Sequence, residues 1–186
     1  PLSYIKEVKD GHYTNETGGY RMYKFEVEPG TPGSSNTDFP LHRYSEILLM
    51  KAECLLRLGQ PGAGALVTEV RKRNFKGNPE RATVTDDELK QNSSYQYGTV
   101  ENYVNKHDGD QSPIQFGRLL DELGWEFVWE MHRRRDMIRF GIFTKKNWLS
   151  HDAAGEGDYR TVFPIPEAAL TSNPKLTQNP DYLSNN

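Results

Sequence analysis

Between Asp38 and Asn74, apolar residues return every three or four positions: Leu41, Tyr44, Ile47, Leu48, Ala52, Leu55 and Leu58. That spacing predicts a helix with these side chains on one buried side. Gly59, Pro61 and Gly62 interrupt the pattern, and a second one starts at Ala63 with Leu66, Val67 and Val70 inward and Glu69, Arg71, Lys72 and Arg73 outward. Two antiparallel helices joined by a short turn account for both. Asp38 is the expected cap of the first helix, with Pro40 inside its opening turn. A hairpin buries only its facing surfaces, so a further helical layer is expected over the remainder.

A second long pattern runs from 112 to 141. Ser112-Pro113 reads as a cap followed by a first-turn proline, and Phe116, Leu119, Leu120, Leu123, Phe127, Val128 and Met131 form the stripe behind it. Arg118, Asp121, Glu122, Glu126 and Glu130 fall on the polar side, and Gly141 is the natural stop. Gly124 thins the helix in the middle, which suits a close neighbour. Around these patterns the chain is irregular. Tyr23, Phe25 and Val27 alternate weakly, as in a short edge strand over 21–27. Residues 75–111 are loop-rich, with Thr85 and Glu88 spaced as a capping box. Thr161 to Phe163 is long enough for a brief strand, but Pro164 and Pro166 keep it out of a central ladder. The Asn-Pro pairs at 173–174 and 179–180 belong to a tail that wraps over the surface.

Composition narrows the classes. With 186 residues and 35% hydrophobic content the chain makes one ordinary domain with a modest core, and 16 glycines and 11 prolines signal long loops. A net charge of -3 argues against a protein dominated by phosphate contacts. Cys54, the single cysteine, reads as a small buried residue of the first helix and excludes an intrachain disulfide. No membrane span or signal peptide is visible, and the polar opening at Pro1 is what a chain with a missing N-terminal portion would show.

Aromatic residues are the main candidate chemistry, because a ring face matches the C–H face of a pyranose. Trp125, Trp129 and Trp148 are joined by ten tyrosines. Trp125 and Trp129, four apart, are expected to pack against the loops around the hairpin. Tyr95, Tyr97 and Tyr103, on a loop, and Trp148 are the candidate ligand contacts, since loops carry binding residues more often than helices do. His132-Arg133-Arg134-Arg135 cannot all point one way on a helix. With Glu126, Glu130 and Asp136 nearby they read as an ion-pair network, with His132 bonded to backbone. Asp108-Gly109-Asp110-Gln111-Ser112 opens like a calcium loop. Pro113 then stands where that loop needs glycine and Leu119 where it needs glutamate, so a helix-entry loop is the expectation and an irregular calcium site the alternative. Glu126 and Glu130 are carboxylates that a glycosidase would need, yet any amphipathic helix supplies such a pair. No HExxH, GxSxG, CxxC or phosphate-binding glycine loop is present, and no cofactor or metal is indicated.

Three stretches together resemble the C-terminal part of the SusD/RagB family, nutrient-binding outer-membrane lipoproteins of Bacteroidetes. They are DFPLHRYSEILLMKAECLLRLG at 38–59, DELGWEFVWEMHRRRDMIRFG at 121–141 and FPIPEAALTSNPKLTQNPDY at 163–182. The matching motif residues, structural rather than ligand-binding in the family, are Arg43, Tyr44, Glu53, Glu126, Glu130, His132, Arg133, Asp136 and Arg139. The chain departs at Leu123, Gly124 and Trp125, where the family has an arginine run, at Met131, where it has glycine, and at Arg134, where it has an aromatic. The resemblance implies a mostly α, SusD-like fold: a tetratricopeptide-like helical hairpin at 38–74, a long helical segment at 112–141, a terminal wrap at 159–186, with long loops and short strands. It also implies a missing N-terminal portion with the lipidated cysteine. The implied activity is non-catalytic capture of an oligosaccharide or peptide at the cell surface and delivery to a SusC-like TonB-dependent transporter. A tetratricopeptide-like protein-interaction module is the alternative reading, and a glycoside hydrolase the second.

Overall fold

The computed structural model describes residues 24–25, 30, 38–102, 104–153 and 157–182. The chain divides into two units, Pro1–Leu41 and His42–Asn186. In the first, the rings of Phe25 and Phe39 lie 5.7 Å apart. The strand expected at 21–27 falls largely outside the described residues.

The second unit holds six helices among its described residues: α1 (Tyr44–Arg57), α2 (Ala63–Lys72), α3 (Asp86–Leu89), α4 (Gly117–Glu126), α5 (Arg133–Arg139) and α6 (Glu167–Ser172). The hairpin α1–α2 is present as expected. Gly59 ends α1 with φ +65°, and Gln60 N–H bonds Leu55 O while Gly59 N–H bonds Leu56 O, so the last carbonyls are satisfied by a left-handed cap that glycine adopts without strain. Gly141 ends α5 the same way, with Ile142 N–H on Met137 O and Gly141 N–H on Ile138 O. The box at Thr85 and Glu88 also forms and opens α3. α2 has no side-chain cap of its own. The Asp86 carboxylate serves instead, accepting from the backbone N–H of Gly62 at 2.8 Å and of Gly64.

Leu49, Ala52 and Leu56 of α1 meet Val67 and Val70 of α2, and Leu119 and Leu123 of α4 close the same core. A smaller cluster gathers Tyr97, Ile114, Leu120, Met137 and Ile142. Three short strands stand beside it in the order β2-β1-β3: β1 (Gly98–Glu101) pairs antiparallel with β2 (Val104–Asn105) and parallel with β3 (Trp148–Leu149). Thr161 belongs to a 3-10 turn, Tyr159–Thr161, so the brief strand expected at 161–163 is replaced by that turn and an extended lead into Pro164. The tail clasps itself: Gln178 bonds both the N–H and the C=O of Ile165, and Tyr182 Oη donates to Val162 O at 3.0 Å.

Several expectations are corrected. α1 starts at Tyr44 with Arg43, not Asp38, at its N-cap. Its buried face is Glu46, Leu49, Ala52, Glu53 and Leu56, while Tyr44, Ile47 and Leu58 of the expected inward stripe are exposed, as is Leu41. Cys54 lies on the exposed side of the helix. The 112–141 helix is two helices. The first begins at Gly117, because Phe116 sits in left-handed geometry with φ +57°, and it stops at Glu126. The connection of residues 127–132 turns through Trp129 (φ +64°) and Met131 (φ +61°), which no helix accommodates. Val128 and Met131 are thereby exposed, and Asp121, Glu122, Glu126 and Glu130, expected on the solvent side, are buried.

Candidate functional site

The break after α4 is organised by Arg43. Its guanidinium forks onto Glu130, with Nε to Oε2 at 2.7 Å and Nη2 to Oε1 at 2.8 Å, and it also bonds the Glu126 carboxylate. Nη2 further donates to Glu126 O at 2.7 Å, satisfying a carbonyl at the C-terminus of α4, where a cation is favoured. The same group lies 4.8 Å over the Phe127 ring. Burial on its own lowers the Arg43 pKa, but the bonds to Glu130 and Glu126 outweigh it and hold the group above its ordinary value. One residue before α1 thus fixes where α4 ends.

Two further clusters join α1 to α5. Glu46 receives Arg135 Nη2 at 2.9 Å and His42 Nδ1 at 2.8 Å, with His132 Nδ1 at 3.7 Å. Burial pushes the Glu46 pKa up, and these donors outweigh it and bring the group below its ordinary value. Glu53 receives Arg139 at 2.7 Å and Arg57 at 2.8 Å, and Arg139 also reaches Asp136 at 3.1 Å. The basic run 132–135 does diverge. His132 stacks on Phe127 with centroids 4.6 Å apart rather than bonding backbone, and Arg133 donates to Leu120 O at 2.9 Å. Arg134 reaches Arg160 O at 2.8 Å, and Arg135 turns to Glu46. A Cβ on Gly124 would stand 2.9 Å from Arg133 Nη1, so the thinning of α4 admits that guanidinium. Glu126 and Glu130 both pair with Arg43, so the two carboxylates share one structural ion-pair cluster.

The loop 108–112 holds a cation of the protein's own. Lys146 Nζ, on a side chain almost fully buried, donates to Asp110 O at 2.9 Å and Ser112 O at 2.7 Å. Asp110 is held below its ordinary pKa by Ser112. Among the described residues no three His, Cys, Asp or Glu side chains converge on a metal position.

On the other side of α4 lies a groove of about 820 Å³ lined by Tyr95, Trp125, Val128, Trp129, Met131 and Arg133, among others. Trp125 and Trp129 are 55% and 67% exposed, so they do not pack away against the hairpin loops as expected. Trp125 and Tyr95 are each held by neighbours. Arg118, paired with Glu122 at 2.7 Å, lies 4.6 Å over the Trp125 ring. Tyr95 stands edge-on to Tyr97 at 4.9 Å, and the loop carrying it is tied down by Asp121, which accepts from Ser94 N–H at 2.7 Å and Ser94 Oγ at 2.8 Å.

The candidate ligand contacts separate. Tyr95 is in the groove, 42% exposed. Tyr97 is 5% exposed, a core residue whose burial raises its pKa, and its place on an exposed platform is corrected. Trp148 stacks on His151 at 3.7 Å and lies away from the groove lining. Tyr103 lies outside the described residues. Trp125 and Trp129 are the groove residues that periodicity assigned to packing, and the glycine-poor turn after Glu126 was the signal hidden beneath the helical stripe.

The family model for the SusD family matches residues 7–182. The chain belongs to the SusD family. It is 29% identical to the starch-binding protein SusD of Bacteroides thetaiotaomicron, with 79% of this chain aligned to 22% of that protein. It is 28% identical to SusD-like protein P38 of Formosa agariphila, over 98% of this chain and 35% of the relative, and 26% identical to SusD-like protein P25 of the same organism, over 86% and 27%. The chain therefore spans between about a fifth and about a third of the length of these relatives. The fold agrees with membership: mostly helical, with short strands. Met131 has a left-handed backbone with φ +61°, a conformation that glycine adopts without strain.

Proposed function

We propose that this SusD-family chain is part of a cell-surface binding protein that captures glycans without chemical conversion and passes them to a SusC-like TonB-dependent transporter in the outer membrane. The observation that carries the reading is the groove. Three exposed aromatic side chains line one concave surface, two of them held by intrachain partners, which is the preorganised apolar platform that sugar stacking uses. Arg133 and Ser94 at its edge supply the few polar groups that orient a ligand in such a site. The starch-binding name of one relative makes soluble starch the first probe. Attachment through an N-terminal lipid on a further portion of the polypeptide, and a contribution of that portion to the ligand surface, complete the proposal.

The test is calorimetric titration of the full-length protein with soluble starch and a panel of other soluble polysaccharides. Saturable binding with the polymer recovered unchanged supports the reading. Shortening of the polymer, or absence of binding across the panel together with binding of peptides, overturns the glycan assignment. Co-purification of the transporter with the tagged protein from outer membranes tests delivery separately.

A further inference from the structure

A second hollow, of about 380 Å³, adjoins the aromatic groove. Ser94 and Tyr95 line both, so the Tyr95 side chain stands as the wall between them. Across that wall the chemistry changes. The indole and thioether surface of Trp125, Trp129 and Met131 gives way to the side-chain amides of Asn92, Gln96 and Gln111 and the imidazole of His107. Each of these keeps hydrogen-bonding capacity that the fold does not use. Asn92 Oδ1 accepts from the N–H groups of Ser93 and Ile114, which leaves its Nδ2 donors, and Gln111 Nε2 donates to Asp108 O at 2.8 Å, which leaves Oε1. Gln96 and His107 are held through their backbones: the Asn105 amide donates to Gln96 O at 2.6 Å and accepts from His107 N–H at 2.7 Å. Among the described residues neither side chain is engaged in a hydrogen bond, and both are exposed. Lys146 also lines the hollow, but its ammonium is already matched by the carbonyls of Asp110 and Ser112, with the Asp110 carboxylate 3.8 Å away.

We propose that the polar hollow is a second sugar subsite, and that the ligand is a neutral polysaccharide with one unit stacked on the Trp125 and Trp129 side and another, across Tyr95, hydrogen-bonded to the amides. The proposal rests on the glycan reading and specifies its ligand. A sugar hydroxyl both donates and accepts, and so does the lining: Asn92 supplies donors, Gln111 an acceptor, Gln96 both, and His107, as a neutral imidazole, one of each. A uronate or a sulfate ester would call for an uncompensated cation at this position, and Lys146 is compensated. Because Asn105 fixes the backbones of Gln96 and His107, binding has only their side chains to order.

The test is calorimetric titration of the full-length protein with soluble starch, a mixed-linkage glucan and a galactomannan as neutral polymers and with polygalacturonate as an acidic one. The monosaccharide and short oligomers of the tightest binder follow, against the unaltered protein and the variants Gln96→Ala, His107→Asn and Trp125→Ala. Asparagine tolerates the left-handed backbone at position 107 (φ +50°), and unfolding midpoints establish that each variant is folded. The expected result is tightest binding of a neutral polymer, with oligomers exceeding their monosaccharide in affinity. Gln96→Ala should weaken the oligomer about fivefold, the worth of one hydrogen bond, and His107→Asn by a smaller factor. Combined with the roughly tenfold effect of Trp125→Ala, the Gln96→Ala effect should multiply to about fiftyfold, as for separate contacts with one ligand. Binding that responds to Trp125→Ala but to neither Gln96→Ala nor His107→Asn overturns the second subsite and leaves glycan capture standing. A monosaccharide as tight as its oligomers, or a preference for polygalacturonate, also overturns the proposal with capture intact. Absence of binding to every polymer by the unaltered protein overturns the glycan reading, and this inference with it.

Discussion

Along the contact of α1 with α4 and α5, Glu46, Glu53, Glu126, Glu130 and Asp136 are each 6% exposed or less, whereas at the end of α4 Trp125 and Trp129 stand 55% and 67% exposed. The usual partition of side chains is reversed between the two regions. Inside, charge sets geometry: the fork of Arg43 fixes where α4 stops, and Glu46 and Glu53 fix α5 against α1. Outside, aromatic surface is available for contact, and its placement follows from the interior, since the turn that displays Trp129 and Met131 begins where Arg43 satisfies the last carbonyl of α4. If this dependence holds, changes in the first region alter stability and the second region together, while changes in the second leave the first intact.

The largest effect is expected at Glu130. Glu130→Ala removes the bidentate partner of the Arg43 guanidinium while Glu126 stays on it, and breaking that part of a buried charged network costs about 1–3 kcal/mol. Urea unfolding of the variant should show that loss, with the slope of the transition unchanged. A loss under about 1 kcal/mol would mean that Glu126 alone holds Arg43, and that the fork onto Glu130 is incidental to the turn.

The interior and the groove were unequally legible in the sequence. The hairpin, its glycine stop at Gly59 and the box at Thr85 follow from local pattern, whereas the network expected between residues 132–135 and Glu126, Glu130 and Asp136 forms mostly with distant partners: Glu126 and Glu130 take Arg43, and His132 faces Glu46. The face of α1 did not, because periodicity finds an apolar stripe without saying which side meets the core, and nothing local pairs Glu46 and Glu53 with arginines 89 and 86 positions away. The exposure of Trp125 and Trp129 was hidden for a related reason. A helical stripe through residues 116–131 is continuous in sequence, and the left-handed residues that break it carry no glycine to mark the turn. Tyr97 went the other way: loop membership put it outside, and packing on Ile114, Leu120 and Met137 put it in the core.

Trp125→Ala sharpens the contrast from the other side. The substitution removes the ring under Arg118, worth about 0.5–1 kcal/mol at an exposed site, so the unfolding midpoint should scarcely move. Binding of the polysaccharide identified by titration should weaken about tenfold, or roughly 1.4 kcal/mol. Large destabilisation in the full-length protein with binding intact would place Trp125 inside a packed interface instead of a ligand surface. Met131→Gly is the next smaller effect and has the opposite sign. Met131 is 86% exposed, so little packing is lost, and relieving a left-handed backbone worth about 1–2 kcal/mol against the entropy glycine loses on folding leaves a net gain of about 0.5–1 kcal/mol. A rise in the thermal midpoint checks it, and a fall would show that the side chain is held in the groove.

The smallest effect concerns acid. Glu46 titrates below its ordinary value near 4.5 because Arg135, His42 and His132 face its carboxylate and outweigh its burial. A carboxylate whose folded pKa is depressed adds stability that is fully present above its unfolded pKa and is lost as pH falls through the folded one. The Glu46 contribution should therefore be level from neutral pH down to about 5 and decline below about 4.5. Other carboxylates titrate in the same window, so the quantity to measure is the difference in unfolding free energy between the unaltered protein and Glu46→Gln. That difference should be constant at higher pH and shrink on acidification, as the glutamate of the unaltered protein takes up a proton and comes to match the uncharged variant. A difference that persists unchanged to pH 3 would mean that shape and hydrogen bonding at position 46, rather than its charge, join α1 to α5.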